Sequence, residues 1–420
     1  MCIRPKPSRH KMLTFKFLKL FKLFKLLDNI AGLALTALLL FGQTSGSEVF
    51  TFDSDFNDYP INLVKPLNLE KPLYPYWQYE TAGEYRVASD NVRELYLVNS
   101  RNILMEINLT NGLQNWEMPI GGQMSAEFFV YKDSLIQIIQ IKKESTSKSN
   151  ESNADTAIGG YIIRSTDKLT GITKWQITIP PIDLQGKIYC RLFEDKFIIV
   201  TTAGNLISLN NSDGSIIQKK IINSDFTIQP FFDVSKFYIA ALNNKVSAIS
   251  YSDFTENSEV KMFFSPTTFL VSENLLVWGD RRGLVSASNF LTPGKNIKWR
   301  SRKGGEILSL TGTAAGILAA STDNYIYLMS GKSGDTIWKK RLASRAAFEP
   351  KVAGDYVVVS TLGETEALIF DLKTGRTVNR IALSNGNFYT DAPILLEKVI
   401  IFRTSRGLIA YSNINYSQAE

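Results

Sequence analysis

The sequence predicts an all-β fold: an eight-bladed β-propeller of four-stranded antiparallel blades, closed by an N-terminal outer strand that completes the C-terminal blade. Three observations carry this. A strand–turn–strand unit with a glycine in its turn recurs about every 40 residues from residue 75 onward. A tryptophan follows four of the six turn glycines, four or five residues on. No part of the body shows the 3.6-residue apolar period of an amphipathic helix.

Ahead of the repeat lies a leader, residues 1–43. It holds Arg4, Lys6, Arg9, Lys11, Lys16, Lys19, Lys22 and Lys25 against Asp28 alone. That excess equals the whole chain's net charge of +7, so cations and acids are equal in number across the rest of the chain. The body therefore offers no net field to steer toward phosphate, and no nucleic-acid partner is expected. Ile30 to Phe41 is a short, uncharged apolar run, followed by small and polar residues. A bilayer span needs about 20 apolar residues, so the pattern reads as a secretory signal peptide or an uncleaved N-terminal anchor. Export, and so a periplasmic, membrane-associated location, is the expectation. No cysteine follows the apolar run, so membrane association would pass through the leader or through a partner. Residues 44–74, with Pro60, Pro66 and Pro72, read as an extended linker.

The propeller is assigned to residues 75–420. Its turn glycines are Gly112, Gly171, Gly214, Gly294, Gly334 and Gly375. Most neighbouring glycines in this series are one repeat apart, and two intervals are longer. The interval from Gly214 to Gly294 holds two units, the weaker being residues 246–260, which have no turn glycine. The interval from Gly112 to Gly171 holds a polar insert, residues 142–156. An Asx, Ser or Thr followed by Gly suits a tight turn, because glycine accepts positive φ without steric cost. Trp116, Trp175, Trp299 and Trp338 come at one place on the outer strand, where the expected role is packing between blades. Trp77 precedes Trp116 by the same step that separates Trp299 from Trp338, so it marks an outer strand that lacks inner strands of its own. Residues 399–413 supply inner strands without an outer one. The two partial blades complete each other, which gives eight blades and leaves no open sheet edge at the closure.

The unit, (D/N/S)-x-x-(T/S)-G-x-x-x-W, appears as Thr170-Gly171 with Trp175 and Ser333-Gly334 with Trp338; Thr110-Asn111-Gly112 with Trp116 is close to it, with Asn111 before the glycine, and Lys373-Thr374-Gly375 fits without its tryptophan. It resembles the quinoprotein-like repeat of pyrroloquinoline-quinone (PQQ) dehydrogenases and of outer-membrane protein assembly factors of the BamB kind. The dehydrogenase branch is usually larger and often carries a vicinal cysteine pair, which this chain lacks. The BamB-like branch implies an exported, non-catalytic scaffold whose partners are the outer-membrane β-barrel assembly machinery or its substrates, acting as a monomeric ring.

The residue types agree with binding. The one histidine, His10, lies in the leader, as does Cys2, which leaves Cys190 alone in the body. This removes imidazole-based nucleophile systems, His-ligated zinc and any intramolecular disulfide within the body. No catalytic, cofactor-binding or metal-binding residue is assigned. Glu127, Gln229, Glu349 and Asp391 lie near innermost-strand positions and are the candidates for polar groups lining the channel. The turn Asp280-Arg281-Arg282-Gly283 is a basic point in a neutral body. Two other functions remain open to the sequence: a PQQ-dependent quinoprotein dehydrogenase and a carbohydrate- or cell-wall-binding propeller.

Overall fold

The computed structural model describes residues 67–414, apart from residues 82, 90–93, 127, 143–157, 223–224, 263–264, 273–274, 290–296, 347, 362 and 385. The leader, most of the linker, the bulk of the polar insert, Glu127 and Gly294 therefore lie outside the described residues. Within them the chain is all-β, with a single short 3-10 turn at Pro181–Leu184.

Eight antiparallel sheets follow one another along the chain. Blade 1 runs Arg86–Ser89, Glu94–Val98, Ile103–Asn108, Gln114–Pro119. In blade 2 the innermost strand is broken into Gln123–Met124 and Phe129–Tyr131, both pairing with Ser134–Lys142. Blades 3 to 7 repeat the plain four-strand order, their outer strands being Ile216–Ile221, Glu256–Lys261, Ile297–Arg302, Thr336–Arg341 and Thr377–Ala382. Blade 8 is composite: Ile394–Leu395, Ile400–Thr404 and Gly407–Ser412 are completed by Tyr74–Glu80, with Trp77 opposite Ala410. The middle strands of most blades are almost wholly buried, as in Phe197–Val200 and Leu276–Asp280, which explains their continuous apolar runs.

Between the third and outer strands of all eight blades the register slips by one residue; the shift falls at Ala287/Ser288 in blade 5 and at Pro75/Trp77 in blade 8. Such a bulge adds twist and resets which side chains face inward. Here it directs each tryptophan at the turn of the following blade. Trp77, Trp175, Trp299 and Trp338 are each less than a tenth exposed. Their indole N–H groups donate to the carbonyls of Leu109, Asn211, Gly331 and Leu372, at 2.7, 2.8, 3.0 and 2.9 Å. Trp116 does the same to Lys168 at 3.2 Å. Each acceptor lies just ahead of the turn glycine of the next blade. The ring then covers that glycine: a Cβ on Gly112, Gly214, Gly334 or Gly375 would come within 3 Å of the ring of Trp77, Trp175, Trp299 or Trp338. Those glycines also have φ of +67 to +75°. Glycine is required twice over, for the backbone conformation and for the close approach of the indole.

The polar residue opening each turn has its own role. Asn108 Oδ1 accepts the N–H of Thr110, Asn210 Oδ1 that of Ser212, and Asp371 Oδ1 that of Thr374. These bonds satisfy donors that the hairpin leaves over. Two such acids have carboxyls held below the usual range: Asp167, through the backbone N–H and then the hydroxyl of Thr170, and Asp371, through the hydroxyl and then the N–H of Thr374. A depressed folded-state pKa contributes stability above the unfolded value, near 4, that is lost as pH falls through the folded value. The combined Asp167→Asn/Asp371→Asn variant should thus show a shallower loss of melting temperature below about pH 4 than the parent chain; equal slopes would contradict this role.

The weak fourth unit follows the same geometry with different residues. Gln218 stands in the tryptophan position of blade 3 and donates to the Asp253 carbonyl at 2.7 Å. Phe254 stands in the glycine position of blade 4, at φ +53° and fully buried against Phe237. Without an indole above the turn there is room for a side chain. The loss of the tryptophan and the loss of the glycine are thus one change. At the closure, Asn379 of blade 7 occupies the tryptophan position and donates to the carbonyls of Leu69 and Lys71. Leu69 is buried, and Asn413 clasps Asn68 and Pro72. Residues 67–73, assigned from sequence to the end of an extended linker, therefore pack on the ring in the place of a missing turn.

Candidate functional site

The turns of a four-stranded meander alternate ends. The tryptophan-covered turns lie on one face of the ring, and the links between blades, with the turns between second and third strands, lie on the other. On that second face a pocket of about 920 Å³ is formed by the eighth, first and second blades. Its wall comes from the link into the first blade (Gly83 to Arg86), that blade's turn (Asn99, Ser100, Asn102), Gln123 and Met124 of the second blade, and Asp391 and Arg403 of the eighth.

Three contacts shape it. The Tyr85 hydroxyl lies 3.0 and 2.9 Å from the carbonyls of Thr404 and Gly407 and accepts the Thr404 N–H at 2.9 Å. Burial pushes its pKa up, so it stays a neutral clamp between blades 1 and 8. Asp391 Oδ2 pairs with Arg403 Nη1 at 2.7 Å, while Oδ1 accepts the N–H of Ala392. Asn99 Oδ1 accepts the N–H groups of Arg101 and Ile103, which fixes the blade 1 turn. Phe388 stands at the rim, 40% exposed.

Among the described lining residues there is no histidine, cysteine or lysine. The wall offers a partly exposed ion pair, amides, hydroxyls and an aromatic ring, which is equipment for recognition by hydrogen bonds and stacking. The family resemblance raises the question of a calcium-held quinone. The pocket's acids are Glu84 and Asp391, and both oxygens of Asp391 are already engaged. No group of three or more His, Cys, Asp or Glu able to hold a metal forms among the described residues. This donor set does not fit such a group.

Of the four channel candidates, Asp391 lines this pocket. Glu349, just before the innermost strand of blade 7, accepts from the Thr311 hydroxyl at 3.1 Å and pairs with Lys351 at 3.2 Å. Gln229, before the innermost strand of blade 4, is exposed, and Glu127 lies outside the described residues. Tyr85, Arg403 and Phe388 were not singled out by sequence. Each is a lone residue without a motif, and only the ring closure brings residue 85 against residue 404.

A family model described as "Outer membrane protein assembly factor BamB" matches residues 281–415, about the last third of the chain. No curated protein matches. Solved structures that resemble the chain include the computationally designed Ika8 protein, at 11% identity and TM-score 0.62, covering 81% of this chain and 99% of that one. BamB from Moraxella catarrhalis aligns at 12% identity and TM-score 0.55, covering 79% and 99%. The C-terminal WD40 domain of Sif2 aligns at 12% and 0.61, covering 82% and 99%. At such identities the structural likeness speaks for the fold alone. Fold, repeat and family match together describe a PQQ-type repeat propeller similar to the BamB-like branch.

Proposed function

We propose that this chain is an exported, non-catalytic propeller that binds other proteins, as a scaffold in outer-membrane β-barrel assembly. The observation that carries the reading is the BamB family match over blades 5 to 8, in a ring built on the same repeat throughout. The basic leader with its short apolar run supports a periplasmic, membrane-associated location. Among the described residues no helix is long and apolar enough to cross a membrane. Closure of blade 8 by Tyr74–Glu80 completes the ring within one chain, in keeping with a monomer. The pocket face of blades 8, 1 and 2 is the surface we assign to a partner.

Two other readings are weaker. A quinone-dependent dehydrogenase requires a donor set that the pocket does not provide. A carbohydrate- or cell-wall-binding propeller is favoured only by Phe388 beside the Arg403–Asp391 pair. Affinity purification of the full chain from solubilised membranes should enrich barrel-assembly proteins or outer-membrane precursors, and enrichment of neither would reject the specific role. Addition of quinone and calcium to the purified chain should produce no dye reduction with alcohols or sugars.

A further inference from the structure

The body is neutral as a whole but not locally. Residues 281–303 and 336–345 hold eleven Lys and Arg and no Asp or Glu, so acids outnumber cations on the rest of the body. The structure gathers the described residues of these two segments on one sector of the ring. The first contains the second-to-third-strand turn, third strand and outer strand of blade 5, and the second contains the outer strand of blade 6.

On the blade 5 outer strand Lys298, Arg300 and Arg302 stand at alternate positions, on the face opposite Trp299. Arg302 Nη1 donates to the Arg282 carbonyl at 3.1 Å, so the basic turn is continuous with this row, and the Arg281 side chain is 86% exposed. On blade 6 Lys339 and Arg341 repeat the pattern around Trp338. Across the sheets the facing residues carry no charge: Leu284 and Ser286 oppose Arg302 and Arg300, and Tyr325 and Tyr327 oppose Arg341 and Lys339. On three other outer strands a cation is paired with an acid, in Lys219–Asp183, Lys245–Glu259 and Arg380–Glu366. Acids that border the basic sector hold local partners: Asp280 Oδ1 takes the N–H groups of Arg282 and Leu284. Asp323 takes the Gly304 and Tyr325 N–H groups and the Tyr327 hydroxyl, Asp335 takes the Ser333 hydroxyl, and Glu306 faces Arg281 at 3.9 Å. Between the two outer strands Lys303 is buried, with Ser301 and Thr336 hydroxyls at 2.8 and 2.7 Å from Nζ.

The geometry points to a docking surface on the outer strands of blades 5 and 6 for an extended, acidic segment of a partner protein. Alternate residues of a strand stand about 6.8 Å apart. An extended chain with acids at every second position repeats its carboxylates at that same step. Both outer strands end their sheets, so among the described residues their outward backbone edges have no strand partner and are open to a strand added alongside. A flat anionic lipid surface has no reason to follow this spacing. The inference rests on the reading of the chain as a protein-binding scaffold. Its test uses a defined peptide, so its failure leaves the assembly role standing.

The probe is a labelled short peptide with Asp at alternate positions, beside an otherwise identical peptide with Asn, titrated into the full chain. The Asp peptide should bind, bind more weakly at high salt, and outcompete the Asn peptide. Lys298→Glu/Arg302→Glu should weaken binding by about tenfold or more, since each lost pair becomes a repulsion. Lys71→Glu/Lys398→Glu, at exposed positions elsewhere, should not, and a thermal melt reports whether each variant is folded. Equal binding of the two peptides, insensitivity to the blade 5 reversal in a folded protein, or binding to phosphatidylglycerol vesicles but not to the peptide would each overturn the proposal.

Discussion

Replacing Trp299 with alanine should lower the free energy of unfolding by about 3–5 kcal/mol, the usual cost of removing a buried tryptophan. The indole fills the space above Gly334 and gives its N–H to the Gly331 carbonyl at 3.0 Å, so the substitution empties a gap between blades 5 and 6 and leaves that carbonyl without its donor. Gly334→Ala attacks the same contact from the other side. Its Cβ would lie 2.3 Å from a ring carbon of Trp299, on a residue at φ +75°. Left-handed backbone alone costs about 1–2 kcal/mol for a residue with a Cβ, and displacement of the ring adds to that. The two substitutions should be non-additive, because Trp299→Ala removes the clash that Gly334→Ala creates. Gln218→Ala, at the equivalent place in blade 3, should cost much less, since only one hydrogen bond to Asp253 is lost. Denaturant unfolding of the three single variants and the Trp299→Ala/Gly334→Ala double variant checks this. Additive losses at Trp299 and Gly334, or equal costs at Trp299 and Gln218, would contradict the docking account.

A chain beginning at Thr81 should fail to form the closed ring. Removing Tyr74–Glu80 takes away the fourth strand of blade 8 and exposes the whole edge of Gly407–Ser412. It also removes Trp77 from the Gly112 turn, where the indole bonds the Leu109 carbonyl at 2.7 Å, and so unseats blade 1 from blade 8. Leu69 and the Asn68–Asn413 clasp go with it. An open edge of apolar strands is a template for association. The expected result is a broad, poorly cooperative melt and self-association in size-exclusion chromatography. A monomer that melts as sharply as the full chain would show that blade 8 does not need its N-terminal strand.

The parts of the architecture legible in sequence were those that repeat. Trp77, one repeat step ahead of Trp116, was enough to place the closing strand, because a lattice reports a position even where its blade is incomplete. Glycine at the turns was legible for the same reason. The exchange of Trp and Gly for Gln218 and Phe254 was not, since neither residue signals its partner in sequence. Only the shared space above the turn links them. Several innermost strands are shorter than any periodic pattern can mark, down to Phe231–Phe232 and Ile394–Leu395. The pocket was the least legible part. Its clamp joins Tyr85 to Thr404, at opposite ends of the propeller sequence, and its ion pair and rim aromatic belong to no motif. The basic turn at Arg281 and Arg282 was visible as a local charge. Its continuation along Lys298 to Arg302 emerged only once the third and outer strands of blade 5 lay side by side.

On the proposed function, the ring holds another protein against the face formed by blades 8, 1 and 2. Site-specific photo-crosslinking in intact cells tests that most directly, with the crosslinker placed at Phe388 on the pocket rim and, separately, at Thr374 on the opposite face. The account predicts abundant protein adducts from position 388, among them outer-membrane barrel-assembly components or their substrates, and few from position 374. Equal adducts from both faces, or no protein adduct from position 388, would contradict it.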